Sequence, residues 1–263
     1  MSNTQFHPLI EICQDPDAIS EVARQKIIQI LQKGRPITIA LSGGSTPKKL
    51  YHTLCKDLSL IHNNVTFFLG DERLYPVEND QTNYHMAFQA LLHKVPSNQV
   101  IGVDPTAAIA TSEDERGGVA GALAAAEDYE AKLHQRLPLT RWVENGNDMT
   151  MPVIDIVLLG FGSDGHTASI FPDSIASRET ARTVSIAFPS PSMRPKVWRV
   201  SITPHVIQNA RQVIVLAAGK DKNWVIKGIL SEECPSEAPV SRFLRGCKGE
   251  VLFVLDREAA ADI

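Results

Sequence analysis

Of the 263 residues only four are cysteine, and Cys13, Cys55, Cys234 and Cys247 lie far apart. There is no Cys-x-x-Cys pair and no histidine cluster beside any of them. That excludes a disulfide or zinc framework and points to reduced, incidental thiols in a cytoplasmic protein. No apolar run approaches the ~18 residues of a membrane span. The stretch Met1 to Pro8 has neither a basic nor an apolar segment of the kind an export signal carries, so neither export nor membrane insertion is expected. A basic excess is also missing. The formal net charge of −4 argues against general affinity for nucleic acid or anionic membranes, so an anionic ligand must be held by local positive charge. Internal repeats, low-complexity segments and sharp shifts of composition are absent. Residues 1–263 therefore read as one α/β domain, long enough to bury a large core.

What is present is a set of apolar strands that end in glycine-rich turns. The central one is Asp155-Ile-Val-Leu-Leu-Gly-Phe-Gly-Ser-Asp-Gly-His-Thr-Ala-Ser-Ile-Phe-Pro172. A buried strand, Ile154 to Leu159, empties into a turn containing Gly160, Gly162 and Gly165, which carries Asp164 and His166. Such a turn leaves backbone N–H groups open to a ligand, and the imidazole supplies a group that exchanges protons near neutral pH. His166 is therefore the expected catalytic residue. Asp164, two positions away, is expected to orient the ring or a substrate hydroxyl, not to pair with His166 by chain proximity alone.

Two familiar motifs overlap this loop and neither fits. Gly160-Phe-Gly162-Ser-Asp-Gly165 spells the dinucleotide fingerprint, but Pro172 interrupts the helix that must follow. The next strand, Thr183 to Phe188, also ends without the required carboxylate. The spacing from Gly160 to Thr167 matches a P-loop, yet His166 occupies the lysine position.

Four other segments carry chemistry. Asp15 to Lys33 is an amphipathic helix closed by Gly34, after which strand Ile37 to Leu41 runs into Ser42-Gly43-Gly44-Ser45-Thr46-Pro47. A helix through about Cys55 follows, with Thr46 as its cap and Pro47 at its first position. A strand, a glycine loop and a helix N-terminus form the usual arrangement for an anion, and Lys48 and Lys49 add charge. Ala40 to Gly44 is one glycine short of the serine-hydrolase nucleophile elbow, and the delayed helix speaks against that reading. Strand Val65 to Leu69 ends in Gly70-Asp71-Glu72-Arg73. There Asp71 can position a hydroxyl or a histidine, and Arg73 can clamp an oxygen. Arg199 interrupts the apolar strand Val197 to Ile202, where a charge is costly unless paired; it reads as facing either a ligand or solvent at a sheet edge. Gly219-Lys220-Asp221-Lys222 follows strand Gln212 to Ala217 and opens a helix through Leu230.

The rest is scaffolding. Gln81 to Lys94 reads as a helix with Tyr84, Phe88, Leu91 and Leu92 as its core face, and Gly118 to Leu137 as a long alanine-rich helix. His205 sits in a short helix begun by Thr203-Pro204 as a structural histidine. Residues 95–115, 141–151 and the proline-stiffened 189–195 read as loops. With Val251 to Leu255, about seven strands alternate with helices around a mainly parallel sheet.

Taken in order, Leu41 to Pro47, Gly70 to Arg73, Gly160 to Pro172, Arg199 to Pro204 and Gly219 to Lys222 resemble the 6-phosphogluconolactonase family. The similarity runs from the first helix to Asp256. It implies a three-layer Rossmann-like sandwich shared with glucosamine-6-phosphate deaminases and ribose-5-phosphate isomerases. It also implies hydrolysis of 6-phospho-D-glucono-1,5-lactone in the oxidative pentose phosphate pathway, with no cofactor and no metal. The resemblance places the catalytic histidine at His166, the phosphate loop at Gly43, Gly44 and Ser45, the arginine after the Asp-Glu pair at Arg73 and a lysine at Lys222, with Lys220 an alternative. The reading of the residues themselves adds Asp164 to His166 and Arg73 as catalytic, and Ser42, Asp71, Gly162 and Arg199 to the groups that bind substrate or its phosphate. Val200 and Ser201 depart from the family's usual residues in packing more than in chemistry. The related deaminases carry a motif similar to Asp-Gly-His-Ile-Ala-Phe-Asn-Glu-Pro, with a catalytic glutamate five residues after the histidine. That position is Phe171 here, and Arg73 stands where the deaminases tend to carry tyrosine. A deaminase-like enzyme and a non-catalytic sugar-phosphate sensor are the alternatives. The expected partner is a small phosphorylated lactone, bound by a monomer or small homo-oligomer.

Overall fold

A computed structural model of the chain describes residues 6–62, 64–110, 118–144, 147–172, 174–188, 193–231 and 239–263. In chain order its strands are β1 (Leu9–Cys13), β2 (Ile37–Leu41), β3 (Val65–Leu69), β4 (Asp71–Arg73), β5 (Val100–Ile101), β6 (Leu139–Glu144), β7 (Asn147–Pro152), β8 (Ile156–Leu159), β9 (Val184–Ala187), β10 (Arg199–Ile202), β11 (Gln212–Ala217) and β12 (Glu250–Asp256). Seven of them form one sheet in the order β1-β12-β11-β8-β2-β3-β5, parallel throughout.

The central strands are apolar on both faces because both faces are covered, which makes them continuous hydrophobic runs. On one side Ile37, Ile39, Leu41, Phe67, Leu158 and Leu216 meet Ile19, Ala23 and Ile27 of helix Pro16–Leu31 and Leu50, Tyr51 and Leu54 of helix Ser45–Leu54. On the other, Ala40, Phe68, Val157, Leu159, Val215 and Phe253 meet Ala122, Ala126, Tyr129 and Leu133 of helix Val119–Arg136. Helices Pro204–Gln208, Asn223–Leu230 and Pro239–Leu244 complete that layer. The result is the expected three-layer α/β sandwich. No helix among the described residues is long and apolar enough to cross a membrane.

The chain builds outward from β2 in two directions, first to β3 and β5, then back across to β8, β11 and β12. The order reverses between β2 and β8, and the crevice outside the strand ends at such a switch point is where open α/β sheets bind ligands.

Several expectations need correction. Thr183–Phe188 and Val197–Ile202 are not part of the parallel sheet; β9 and β10 form a separate antiparallel sheet in the order β4-β10-β9. A parallel pairing needs a crossover of a dozen or more residues, and only residues 188–198 separate β9 from β10. The edge places in the main sheet go to β1 and to the two-residue β5, which lies in the stretch taken for a loop along with helix Thr106–Ala110. Residues 111–115 of that stretch lie outside the described residues, as do 189–192 of the proline loop. The connection expected over 141–151 is the hairpin β6–β7. The helix expected to reach Lys94 spans Asn83–Ala90 and turns Ala87 and Ala90 inward, leaving Phe88 exposed. Helix Ser45–Leu54 begins one residue before the expected cap. Gly44 holds the cap position at φ +114° with no side chain capping the first turn.

Candidate active site

At the switch point, the turns after β2 and β8 and the small sheet close around a cavity of about 210 Å³. Of the residues singled out in the sequence, its wall contains Ser42, Gly43, Gly44, Asp71, Arg73, Gly162, His166 and Arg199 but not Asp164, and Asn83, Gly160, Phe161, Thr167 and Ala168 complete it.

The turn after β8 is folded by its own backbone. The Gly162 N–H donates to the His166 carbonyl (2.7 Å), the Gly165 N–H donates to Gly162 (3.1 Å), and Gly165 sits at φ +77°. This curls Asp164 back onto the histidine, so His166 Nδ1 bonds Asp164 Oδ1 directly and the His166 N–H donates to the same oxygen (3.2 Å). The expectation that chain proximity would not pair them is corrected: a tight glycine turn makes an i, i+2 contact. The bond holds the Asp164 carboxyl below the usual carboxylate range, against the opposing effect of partial burial. A carboxylate only accepts, so the neutral imidazole carries its proton on Nδ1 and leaves Nε2 as the basic atom. The His166 ring stacks on Phe171, with centroids 4.3 Å apart.

The same loop is pinned to the small sheet. Ala168, at φ +48°, turns the chain so that Ser169 Oγ donates to Asp71 Oδ2 (2.6 Å). Asn83 Nδ2 donates to Asp71 Oδ1 (3.0 Å) and to its carbonyl (2.9 Å), which occupies both carboxylate oxygens. Gly43 must be glycine because a Cβ there would lie 2.2 Å from Asn83 Oδ1. Glu72 is buried and accepts the N–H groups of Arg73, Asn83 and Tyr84, each at 2.7 Å, so one carboxylate caps helix Asn83–Ala90 and fastens it to β4. Burial pushes its pKa up to about 7 despite those three donors.

Arg73 and Arg199 stand directly opposite each other across β4 and β10. Like charges at such a position repel. Arg199 is only 2% exposed and lies in the middle strand of its sheet, so an edge position is excluded. Its Nη2 donates to the carbonyls of Arg194 (2.8 Å) and Pro195 (3.2 Å), and Arg73 Nη1 donates to Gln81 (2.5 Å). Among the described residues the Nε atom of each has no hydrogen-bond partner. Burial, helped by Arg73, lowers the Arg199 pKa to about 10, and Asp71 and Glu72 oppose the shift. A buried guanidinium, Arg199, beside a half-buried one, Arg73, on one cavity wall calls for an anion or a polarised oxygen.

The loop after β2 is anchored by Tyr51, whose hydroxyl accepts from the Ser42 N–H (2.8 Å) and donates to the Ser42 carbonyl (2.7 Å). Ser45 is exposed at the first helical position and is not on the cavity wall. Lys222 is not on the wall either. Its ammonium pairs with Asp221 (2.7 Å) in a short turn, Lys220–Lys222, after β11, the strand beside β8. The following helix touches the turn after β8 through Trp224 Nε1, which donates to the Ser163 carbonyl (3.1 Å). Among the described residues no group of three or more His, Cys, Asp or Glu side chains is placed to hold a metal ion.

The sequence reading passed over Asn83, Ser169 and Trp224. Thr82, which caps the helix by accepting from the His85 N–H (3.0 Å), was a visible signal for Asn83 at the helix start. Ser169 and Trp224 act through tertiary contacts that no local pattern announces.

A family model described as glucosamine-6-phosphate isomerases/6-phosphogluconolactonase matches residues 14–253. The fold is similar to a crystal structure of 6-phosphogluconolactonase from Leishmania guyanensis, with 52% identity, a TM-score of 0.91 and coverage of 98% of this chain and 99% of that one. It is similar also to the 6-phosphogluconolactonase from Trypanosoma brucei, with 44% identity, a TM-score of 0.90 and coverage of 98% and 100%. A curated 6-phosphogluconolactonase from Synechocystis is 33% identical over 227 residues, 86% of this chain and 84% of the relative.

Proposed function

The chain belongs to the glucosamine-6-phosphate isomerase/6-phosphogluconolactonase family, and from that membership we propose that it hydrolyses 6-phospho-D-glucono-1,5-lactone to 6-phospho-D-gluconate in the oxidative pentose phosphate pathway. In this reading residues 1–263 are one lactonase domain acting in the cytoplasm on a small molecule, as a monomer or small homo-oligomer, with no nucleic-acid or membrane partner. Lactone hydrolysis changes no oxidation state, and the reading calls on no cofactor or metal.

The observation that carries it is His166, held by Asp164, on the same cavity wall as the two opposed arginines Arg73 and Arg199, whose Nε–H groups have no partner among the described residues. Asp164 holds Nδ1–H, so His166 Nε2 takes a proton from water as the water oxygen adds to the lactone carbonyl carbon. Arg73 and Arg199 face the oxyanion that forms, and the burial of Arg199 strengthens its part of that attraction. As the tetrahedral intermediate collapses, His166 returns the proton to the departing ring oxygen, which leaves as a hydroxyl group. The turn Ser42-Gly43-Gly44-Ser45, at an uncapped helix N-terminus, and Lys222 hold the distant phosphate and so position the ring. Asp71, with both oxygens engaged, orients a sugar hydroxyl through a remaining lone pair. Gly162 makes room for the dyad. A deaminase-like reaction would need a carboxylate where Phe171 stands.

Substrate choice is tested by comparing 6-phosphogluconolactone with unphosphorylated gluconolactone. A higher kcat/KM for the phosphorylated lactone is expected. Equal values would remove the phosphate site from the account, and no acceleration of either over the spontaneous rate would favour a binding protein.

A further inference from the structure

We propose that Phe171 is a positioning residue for the hydrolysis: its ring fixes the plane of the His166 imidazole and is itself held by Arg199. This rests on the reading of His166 as the base. The bond from His166 Nδ1 to Asp164 fixes one atom of the imidazole but leaves the ring free to swing about that contact. A flat partner on its face removes the freedom, and Phe171 supplies one at 4.3 Å between centroids and 24° between planes. Together the two contacts determine where Nε2 points.

Phe171 is held in turn. The Arg199 Cζ lies 5.4 Å from the Phe171 centroid, within the range of a cation–π contact. The Arg199 guanidinium is tied to the carbonyls of Arg194 and Pro195, so it is a fixed support. Phe171 is 3% exposed and, among the described residues, clusters with buried Ala187 and Met193, apart from the two clusters that flank the sheet. Ala187 is the cross-strand partner of Arg199 on β9. The ring is thus packed among site elements and outside the main core, where an aliphatic side chain would give burial but no flat face.

The test replaces Phe171 with Leu, with Met and with Tyr, and reads kcat, KM and the His166 ring signals by NMR. Misplacing a reacting atom by about 1 Å costs on the order of a hundredfold, so Phe171→Leu and Phe171→Met are expected to lose about tenfold to a hundredfold in kcat with KM little changed. In both, the His166 Cε1–H signal should move downfield as the ring current is lost. Phe171→Tyr, which keeps the face, is expected to restore both readouts toward wild type. If Phe171→Leu does not fold, Phe171→Met, closer in volume, carries the same comparison. Wild-type kcat and an unshifted His166 signal in a folded Leu or Met variant overturn the proposal. A Tyr variant as impaired as the Leu variant also overturns it. His166→Ala is assayed alongside: if it stays active, the reading of the base fails and the proposal with it. If His166→Ala is inactive while Phe171→Leu is normal, only the positioning role falls.

Discussion

Replacing Gly162 by alanine perturbs the site most cleanly. A Cβ at this position would lie 2.2 Å from both Cε1 and Nδ1 of His166 and 2.4 Å from Asp164 Oδ1. Comfortable contacts between heavy atoms begin near 3.5 Å, so the imidazole, the carboxylate or both must retreat by roughly 1 Å. Gly162 is not in the left-handed region, so the substitution does not strain the backbone itself. The cost therefore falls on the geometry of the dyad and not on the fold. A displacement of that size lowers turnover on the order of a hundredfold, about 2.7 kcal/mol of transition-state stabilisation. Gly160→Ala is the matched control in the same turn. Its Cβ would sit 3.5 Å from the Leu216 carbonyl, an ordinary contact, so kcat should stay near wild type. The assay generates the lactone with glucose-6-phosphate dehydrogenase and follows its loss beyond the spontaneous rate, with thermal melting as a check of folding. A folded Gly162→Ala variant with wild-type kcat would refute the claim that the Asp164–His166 contact sets the rate.

Three further outcomes follow from the neighbouring contacts. The pKa of Glu72 is raised on folding to about 7, so folded protein binds its proton more tightly than unfolded chain. That contribution to stability is complete below the ordinary carboxylate pKa and is lost as pH rises through 7, by up to about 3 kcal/mol. In urea unfolding, wild type should lose stability relative to Glu72→Gln between pH 5 and pH 8; a gain would mean that the three N–H donors outweigh burial. Ser169→Ala removes the 2.6 Å bond to buried Asp71 and should destabilise by about 1.5–3 kcal/mol. An unchanged urea midpoint would show that another donor takes its place. Lys222→Ala should raise KM for the phosphorylated lactone with kcat little changed and leave the unphosphorylated lactone unaffected, as loss of a uniform binding contact does. Equal effects on both lactones would remove Lys222 from phosphate binding.

The parts of this fold that local patterns specify were legible. The apolar runs Ile37–Leu41 and Ile156–Leu159, the glycines after them and the alanine-rich helix ending at Arg136 each announce themselves within a dozen residues. Sheet membership did not. β9 and β10 carry the same apolar signal as the central strands, and only their antiparallel pairing, across a connection of residues 188–198, sets them apart from the parallel sheet. β1 and β5 sit at the edges of that sheet, where half-exposed or very short strands carry little periodicity. The hairpin β6–β7 did have a signal, the Asn-Gly dipeptide at positions 145–146 between two alternating stretches. Within the site, His166, Arg73 and the Ser42–Gly44 turn stood out because they follow strand ends. Asp71 was visible for the same reason, but its partners Asn83 and Ser169 come from elsewhere in the chain, and only the folded molecule brings the three together. The cross-strand Arg73–Arg199 pair was hidden for that reason too, although each residue was singled out alone.

The central claim is that His166, oriented by Asp164, activates the water that opens the lactone. The most direct test is the rate of 6-phosphogluconolactone loss, above the spontaneous rate, for wild type and His166→Ala, with binding of 6-phosphogluconate measured in both. The account requires acceleration by the wild type, its loss by orders of magnitude in the variant, and similar product affinity in the two. Acceleration that survives in a folded His166→Ala variant would contradict it and move the base elsewhere on the cavity wall.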